Sequence, residues 1–260
     1  WLLIAMPAVL ALERAGAGAP VVFFVAALAI VPLAALIVES TEHLAAHTGP
    51  ALGGLLNATF GNLPELIIAV VALRAGLVDM VRASLVGALL ANLLLALGMA
   101  FLLGGLRHRI QEYNPDAARS YATMMLLASL SMVVPSTFHR LLGDPGASHS
   151  AKLDVGVSVV LLIAYALYLL FMLRTHPGLF AEVSDAGPDH GTHWGLARAV
   201  GTLLAASLGA AWMSEALVGA AEATGLALGM SPLFIGMVLL AVVGGAAESG
   251  AAIAMARKNH

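Results

Sequence analysis

Long uncharged apolar stretches recur along most of this chain, and they constrain its fold more than any other feature. One of them runs from Val155 to Leu173 without a charged residue, close to the length of about 20 residues that a helix needs to cross a bilayer. Only 10% of the 260 residues are charged, whereas soluble domains carry about 25% charged residues. The stretches lack the alternating pattern of a transmembrane barrel. The sequence therefore predicts an all-α, polytopic membrane protein.

About eight spans are predicted, and they fall into two blocks. We expect a leading helix in residues 1–15 and a first block of five spans in residues 21–174. An acidic, histidine-containing loop follows in residues 175–195, with prolines that break helices. The second block begins at residue 196 and runs to residue 260. The expected spans are residues 1–12, 21–47, 51–75, 80–106, 118–137, 154–174, 196–223 and 232–257.

Two short stretches share one pattern, in which a glycine is followed four residues later by a glutamate in an apolar setting. They contain Glu65 in "GNLPELIIAVV" and Glu248 in "GGAAESGAAIA". The span before each carries another glutamate beside a hydroxyl residue, Glu42 in "STEHL" and Glu215 in "MSEAL". The third and eighth spans are five apart, so they cross the membrane in opposite directions. Such inverted repeats in transporters place the substrate site between them, near the midplane.

Each glutamate also lies on a stripe of small or polar residues, because residues three and four apart are neighbours on a helix. The stripes are Asn57, Gly61, Asn62 and Glu65 in the first copy, and Ala241, Gly244, Gly245, Glu248 and Ala252 in the second. Small residues allow helices to pack closely in lipid, so we expect both acids to face protein. Pro64 and the paired glycines loosen the backbone hydrogen bonding and can turn carbonyl oxygens toward a cavity. A helix-end or packing role is the alternative, but intramembrane ionisable residues are functional by default.

Several other classes of protein are disfavoured. The chain has no cysteine, which excludes disulfides and thiolate metal sites, and its charge pattern does not support nucleic-acid binding. An intramembrane hydrolase is disfavoured because no His-Glu-x-x-His run and no nucleophile motif accompanies the acids. We therefore predict that the chain is not an enzyme and needs no cofactor. Glu39, His43 and His47 share one helix face, where a wetted helix end is favoured over a metal site.

The motifs resemble those of the cation/proton exchanger family of the larger calcium/cation antiporter group. The matching stretches are "GNLPELIIAVVAL", "VGGAAES" and, after the first motif, "SLVGALLANLLLALGMAFLLGG". The resemblance implies an inverted-repeat antiporter fold of eleven helices, in which a leading helix is followed by two five-helix halves. It also implies exchange of Ca²⁺, or sometimes another cation, for protons. On this expectation the last three helices of the fold are missing from the sequence.

Four positions depart from the pattern that the resemblance implies. The second motif of the family has an asparagine and a histidine where this chain has Gly245 and Ser249, and the span after the first motif has serines in place of Ala88 and Ala91. Asn92 is kept. Loss of one neutral oxygen ligand leaves the cation selectivity open. The alternatives are a Na⁺ or K⁺/proton antiporter on the same scaffold, or a truncated protein that does not transport.

Carboxylate and amide oxygens converge in the motifs, and Ca²⁺ takes six to eight oxygen ligands. We expect Glu65 and Glu248 to bind the cation directly, with Asn62 and freed carbonyls completing the shell and Asn92 helping from the neighbouring span. Metal ligands must be deprotonated, so a bound metal expels protons. Protons and the cation are thus expected to compete for one site.

Glu42 and Glu215 are secondary candidates, which carry protons or gate access to the site. The remaining partners are the lipid bilayer and the transported ions, and a homo-oligomer stays open. The alanine-rich, cysteine-free composition favours a bacterial inner membrane.

Overall fold

A computed structural model of the chain describes residues 2–48, 50–111, 113–142, 147–176 and 194–259. Every regular element within these ranges is helical, as the sequence predicts. In chain order the α-helices are α1 (Ala5–Arg14), α2 (Ala19–Ala46), α3 (Pro50–Phe60), α4 (Leu63–Arg74), α5 (Val78–Leu90), α6 (Leu97–Gly105), α7 (Pro115–Leu142), α8 (Ala147–Leu170), α9 (Leu196–Leu228), α10 (Pro232–Phe234), α11 (Ala241–Gly244) and α12 (Ala246–Arg257). Most of the predicted acidic loop lies outside the described residues.

The described residues include three π-helical segments, of which two join helices into longer rods and one extends α8. They are Ala91–Ala96 between α5 and α6, Phe171–Thr175 after α8, and Ile235–Leu240 between α10 and α11. Five helices in the described part of the chain are long and apolar enough to cross a membrane, and a bent pair makes a sixth if it is counted as one span. The all-helical membrane class is confirmed, while the count of eight spans and the three missing helices stay predictions.

The span predicted at residues 51–75 is not one continuous helix. It divides into α3 and α4, and the break falls at Gly61 and Asn62. Pro64 lies in the first turn of α4, where its missing N–H would have no helical partner in any case. The last span also breaks, and it bends by 55° around Gly245. The sequence places each motif within one span and predicts loosened backbone hydrogen bonding at Pro64 and the paired glycines. The structure goes further, because the helix ends before Glu65 and again before Glu248.

The chain contains two compact units, Trp1–Gln111 with His190–His260, and Glu112–Asp189. In the first unit, α2 packs along α9 and forms most of the buried core. Its largest fully buried side chains include Phe23, Ile30 and Met213. In the second unit α7 packs against α8, and the Asn114 side chain caps α7 by accepting hydrogen bonds from two backbone N–H groups. The predicted division into repeat halves stays a prediction.

Two glycines allow the π-helical region of the last span to lie directly against α5. A Cβ atom on Gly87 would overlap the backbone carbonyl of Met237, and one on Gly236 would overlap the carbonyl of Met80. Backbones this close leave no room for any side chain. Small residues serve this purpose in membrane helices, where packing stabilises association.

Candidate functional site

The two glutamates of the repeated motif occupy equivalent positions in two broken helices. Glu65 lies in the first turn of α4 and Glu248 in the first turn of α12. The residues that precede these helices have nearly the same backbone conformation, with φ −94° and ψ 14° at Asn62 and φ −80° and ψ 9° at Gly245. The amino end of a helix carries a partial positive charge that favours a carboxylate. Each acid thus begins a half-helix.

Gly244, the last residue of α11, brings the second motif against the first. A Cβ atom at this position would lie 3.0 Å from Glu65 Cγ and 3.4 Å from Glu65 Oε1. The Glu65 and Glu248 side chains are near enough to interact electrostatically. The structure therefore brings the two predicted acids together. Gly244 allows this approach because it has no side chain that would meet Glu65.

Asn92 joins the pair from the π-helical segment that follows α5. Its side chain lies close enough to the Glu248 carboxylate to interact with it, and its amide N–H group is the one able to donate to those oxygens. The Asn92 Oδ1 atom lies 3.7 Å from the position of a Cβ atom on Gly245. π-helical segments are frequent at functional sites because they shift side chains out of the regular helical register.

One carboxylate oxygen of the Glu65–Glu248 pair has an unusual environment. Glu65 Oε2 is buried and has no hydrogen-bond partner among the described residues, although nearly all buried polar atoms have one. A buried carboxylate oxygen without a donor, beside a second carboxylate, is suited to hold a proton or a cation. No group of three or more acidic or histidine side chains converges in the described ranges, so a cation bound here would also need amide or carbonyl oxygens.

The other predicted residues lie on α2, on α9 and at the start of α4. Asn62 precedes α4, its side chain is exposed, and its backbone oxygen accepts a hydrogen bond from the Leu66 N–H at 3.1 Å. Glu42 is half-buried on α2, whereas Glu215 is exposed on α9 beside the buried Ser214. Three of the four predicted cation ligands, Glu65, Glu248 and Asn92, thus come together, and Asn62 lies at the exposed start of the same half-helix as Glu65.

A contact that the sequence did not reveal joins α2 to the start of α9. The His43 ring is 3% exposed and stacks on Trp194, with ring centroids 4.5 Å apart. The Arg198 guanidinium lies 4.1 Å from the centroid of the Trp194 ring. The expectation of a wetted helix end is therefore wrong for His43, because an aromatic residue distant in sequence covers it.

Comparison with known proteins identifies relatives over nearly the whole chain. The family described as "Sodium/calcium exchanger protein" matches residues 18–174 and 198–260. A Ca²⁺/H⁺ antiporter of Aphanothece halophytica is 39% identical over 254 residues, which cover 92% of this chain and 67% of that relative. A Ca²⁺/H⁺ antiporter of Synechocystis is 39% identical over 276 residues, which cover 99% and 73%.

Two solved structures share the fold. The structure of native YfkE has a TM-score of 0.80 at 33% identity and covers 100% of this chain and 73% of its own. The H⁺/Ca²⁺ exchanger CAX has a TM-score of 0.67 at 16% identity and covers 99% of this chain and 65% of its own. At 16% identity, the similarity to the exchanger CAX concerns the fold alone.

Apolar spans, paired broken helices and these relatives define an integral membrane protein of the antiporter class. The chain belongs to the cation/proton exchanger family, within the wider group of sodium/calcium exchanger proteins. The resemblance noted in the sequence is thereby confirmed.

Proposed function

We propose that this protein exchanges Ca²⁺ for protons across a membrane, and that Glu65 and Glu248 hold the two kinds of ion in turn. The observation that carries the proposal is the approach of two carboxylates from separate half-helices, one with a buried oxygen that lacks a donor. Relatives that are named Ca²⁺/H⁺ antiporters support the choice of ions.

The ligand set suits a hard cation. Glu65 and Glu248 supply charged oxygens, and Asn92 and Asn62 supply neutral ones. Backbone carbonyls freed by the breaks before α4 and α12 complete the shell, since Ca²⁺ takes six to eight oxygen ligands at flexible geometry. Gly245 contributes no side-chain oxygen, so the backbone carries a larger share of the coordination on the α12 side.

Charge balance couples the two ions. Two carboxylates with one Ca²⁺, or with two protons, are neutral, whereas the empty ionised pair carries two negative charges. Burying uncompensated charge in a low-dielectric site is costly, so the protein passes between its inward and outward states when the pair is loaded. This condition produces exchange and suppresses a leak.

Glu42 and Glu215 serve as proton carriers or gates in this proposal. Glu42 lies on α2 next to the buried Thr41, and Glu215 lies on α9 next to the buried Ser214. Each is thus a carboxylate at the edge of a packed helix, where protons can pass between the Glu65–Glu248 pair and water. Neither acid belongs to the ligand set.

Transport by purified protein in vesicles tests the proposal. Glu65→Gln and Glu248→Gln, made separately, are expected to lower Ca²⁺-driven proton movement by about a hundredfold or more, since even a group that only supports a metal ligand is worth 10- to 100-fold. Glu13→Gln is the matched control, because Glu13 is an exposed acid at the end of α1. Near-normal exchange by either site variant would refute the two-carboxylate scheme.

A Na⁺ or K⁺/proton antiporter is the second candidate. Gly245 offers no side-chain oxygen where Asn62 offers one in the first repeat, and the described residues hold no third acid at the site. A monovalent ion needs less coordinating charge. Proton release on addition of Ca²⁺, Na⁺ or K⁺ to the same vesicles separates the candidates, and release by Na⁺ or K⁺ alone would favour the second.

A further inference from the structure

Four basic side chains gather where α6 and α12 end. Arg107 and Arg109 follow α6, Arg257 is the last residue of α12, and Lys258 comes next; all four are exposed. His108 Nε2 donates a hydrogen bond to the backbone oxygen of Arg257 at 2.9 Å, across 149 positions of sequence. This bond holds the two ends side by side. We call Arg107, Arg109, Arg257 and Lys258 the basic cluster.

The backbone beneath the basic cluster is tightly packed. A Cβ atom on Gly104 would lie 2.9 Å from the carbonyl oxygen of Ala256, so α6 and α12 are nearly in backbone contact one turn before the cluster. Gln111 Nε2 donates to the Phe101 oxygen at 3.1 Å and turns the segment after α6 back onto that helix. The backbone that carries the basic cluster is therefore held in place by close packing.

The charge of the cluster is not neutralised by the described part of the chain. The ion pairs there join Arg82 to Asp79 and Arg119 to Asp116, and none includes a cluster residue. The carboxyl ends of α6 and α12 contribute roughly −0.5 each, which leaves about three of the four positive charges uncompensated. A multivalent anionic partner would relieve their mutual repulsion.

We propose that the basic cluster binds the phosphate headgroup of an anionic phospholipid, which bridges the ends of α6 and α12. The residues Val78–Gly105 form a membrane-length span, so its end lies at the depth of the headgroups. Arginine presents a planar fork of donors that matches phosphate oxygens, and basic residues at a membrane surface attract anionic lipid. The partner is thus a lipid held at the end of a span.

Such a lipid acts on elements that also carry the ion site. Asn92 lies just before α6 and Glu248 lies on α12, and α12 packs against both α6 and the π-helical segment that contains Asn92. Bridging their ends holds the two elements together. The inference does not depend on which cation is transported.

Lipid binding by the purified protein tests this proposal, with native mass spectrometry and thermal unfolding as readouts. Phosphatidylglycerol is expected to bind and raise Tm, and phosphatidylcholine is not. Each basic residue near a surface is worth about fivefold in affinity, so Arg107→Gln/Arg109→Gln and Arg257→Gln/Lys258→Gln should each weaken binding by about 25-fold. The charge-preserving pair Arg107→Lys/Arg109→Lys should stay within about fivefold of the wild type.

The matched control is Arg14→Gln/Arg74→Gln, which removes two exposed arginines from the last turns of α1 and α4. Arg74 lies at the opposite end of the α5–α6 span from Arg107, so this control should bind phosphatidylglycerol as the wild type does. The proposal is overturned if phosphatidylcholine binds equally well or if either glutamine pair binds normally. It is also overturned if the control loses as much affinity, or if inorganic phosphate alone reproduces the rise in Tm.

Discussion

Gly244 sets how closely the backbone of α11 approaches the Glu65 side chain. A methyl group at this position would lie 3.0 Å from Glu65 Cγ, which is too close for an undisturbed contact, so the Glu65 side chain would have to shift by a few tenths of an ångström. Gly245, the next residue, has the backbone conformation of Asn62 in the other repeat. The two motifs therefore share this backbone geometry, while Gly245 lacks the side-chain amide oxygen that Asn62 has.

Gly244→Ala is expected to impair exchange while the protein still folds. Displacing a ligand that must face the ion should cost about 10- to 100-fold in apparent Ca²⁺ affinity, by analogy with changes that misorient metal ligands. The measurement is Ca²⁺-dependent proton release in vesicles. Gly250→Ala in the adjoining half-helix α12 is the control, because nothing lies within 4 Å of its Cβ position. Equal exchange by the two variants would contradict this role of Gly244.

At the level of elements, the sequence predicts which spans meet but not where they break. The glycine and glutamate spacing identifies both motifs, and because the two spans are five apart, an odd number, the sequence predicts that they run in opposite directions. The sequence predicts a loosened backbone near both acids but not full helix ends, because apolar residues continue on both sides of Asn62 and of Gly245. A signal was present in the first motif, since an asparagine followed by Pro64 is typical of a helix start. In the second motif only glycines mark the break.

The close contact between α5 and the π-helical segment Ile235–Leu240 gives a second prediction at this scale. Gly87→Ala places a methyl group into the backbone carbonyl of Met237, so the two spans must separate. Overpacking of this kind costs roughly 1 to 3 kcal/mol, and thermal unfolding in detergent should show a lower Tm. Gly98→Ala serves as the control, because no atom lies within 4 Å of its Cβ position. An unchanged Tm for Gly87→Ala would contradict this prediction, because it would show that the two spans can move apart without loss of stability.

At the scale of the whole molecule, the all-helical fold follows from the lipid bilayer that surrounds it. In lipid every backbone polar group must be satisfied within the protein, and long apolar helices do this without partners. The sequence could not reveal the π-helical segment that carries Asn92 or the stacking of Trp194 on His43. The stacking joins residues about 150 positions apart, and local sequence patterns do not encode such contacts.

The charge rule that couples the ions makes a prediction about the whole exchange cycle. If one Ca²⁺ replaces two protons on the Glu65–Glu248 pair, lowering the pH through the range where both acids bind protons must weaken Ca²⁺ binding. By linkage, the apparent affinity falls by about a hundredfold for each pH unit there, since two protons are displaced. A monovalent cation neutralises one charge and displaces one proton, so its affinity falls by about tenfold. Titrations of purified protein with Ca²⁺ and Na⁺ at several pH values measure both slopes, and Glu13→Gln should keep the wild-type slope. A Ca²⁺ slope of one proton or fewer would mean that the two carboxylates do not act as a single exchange site.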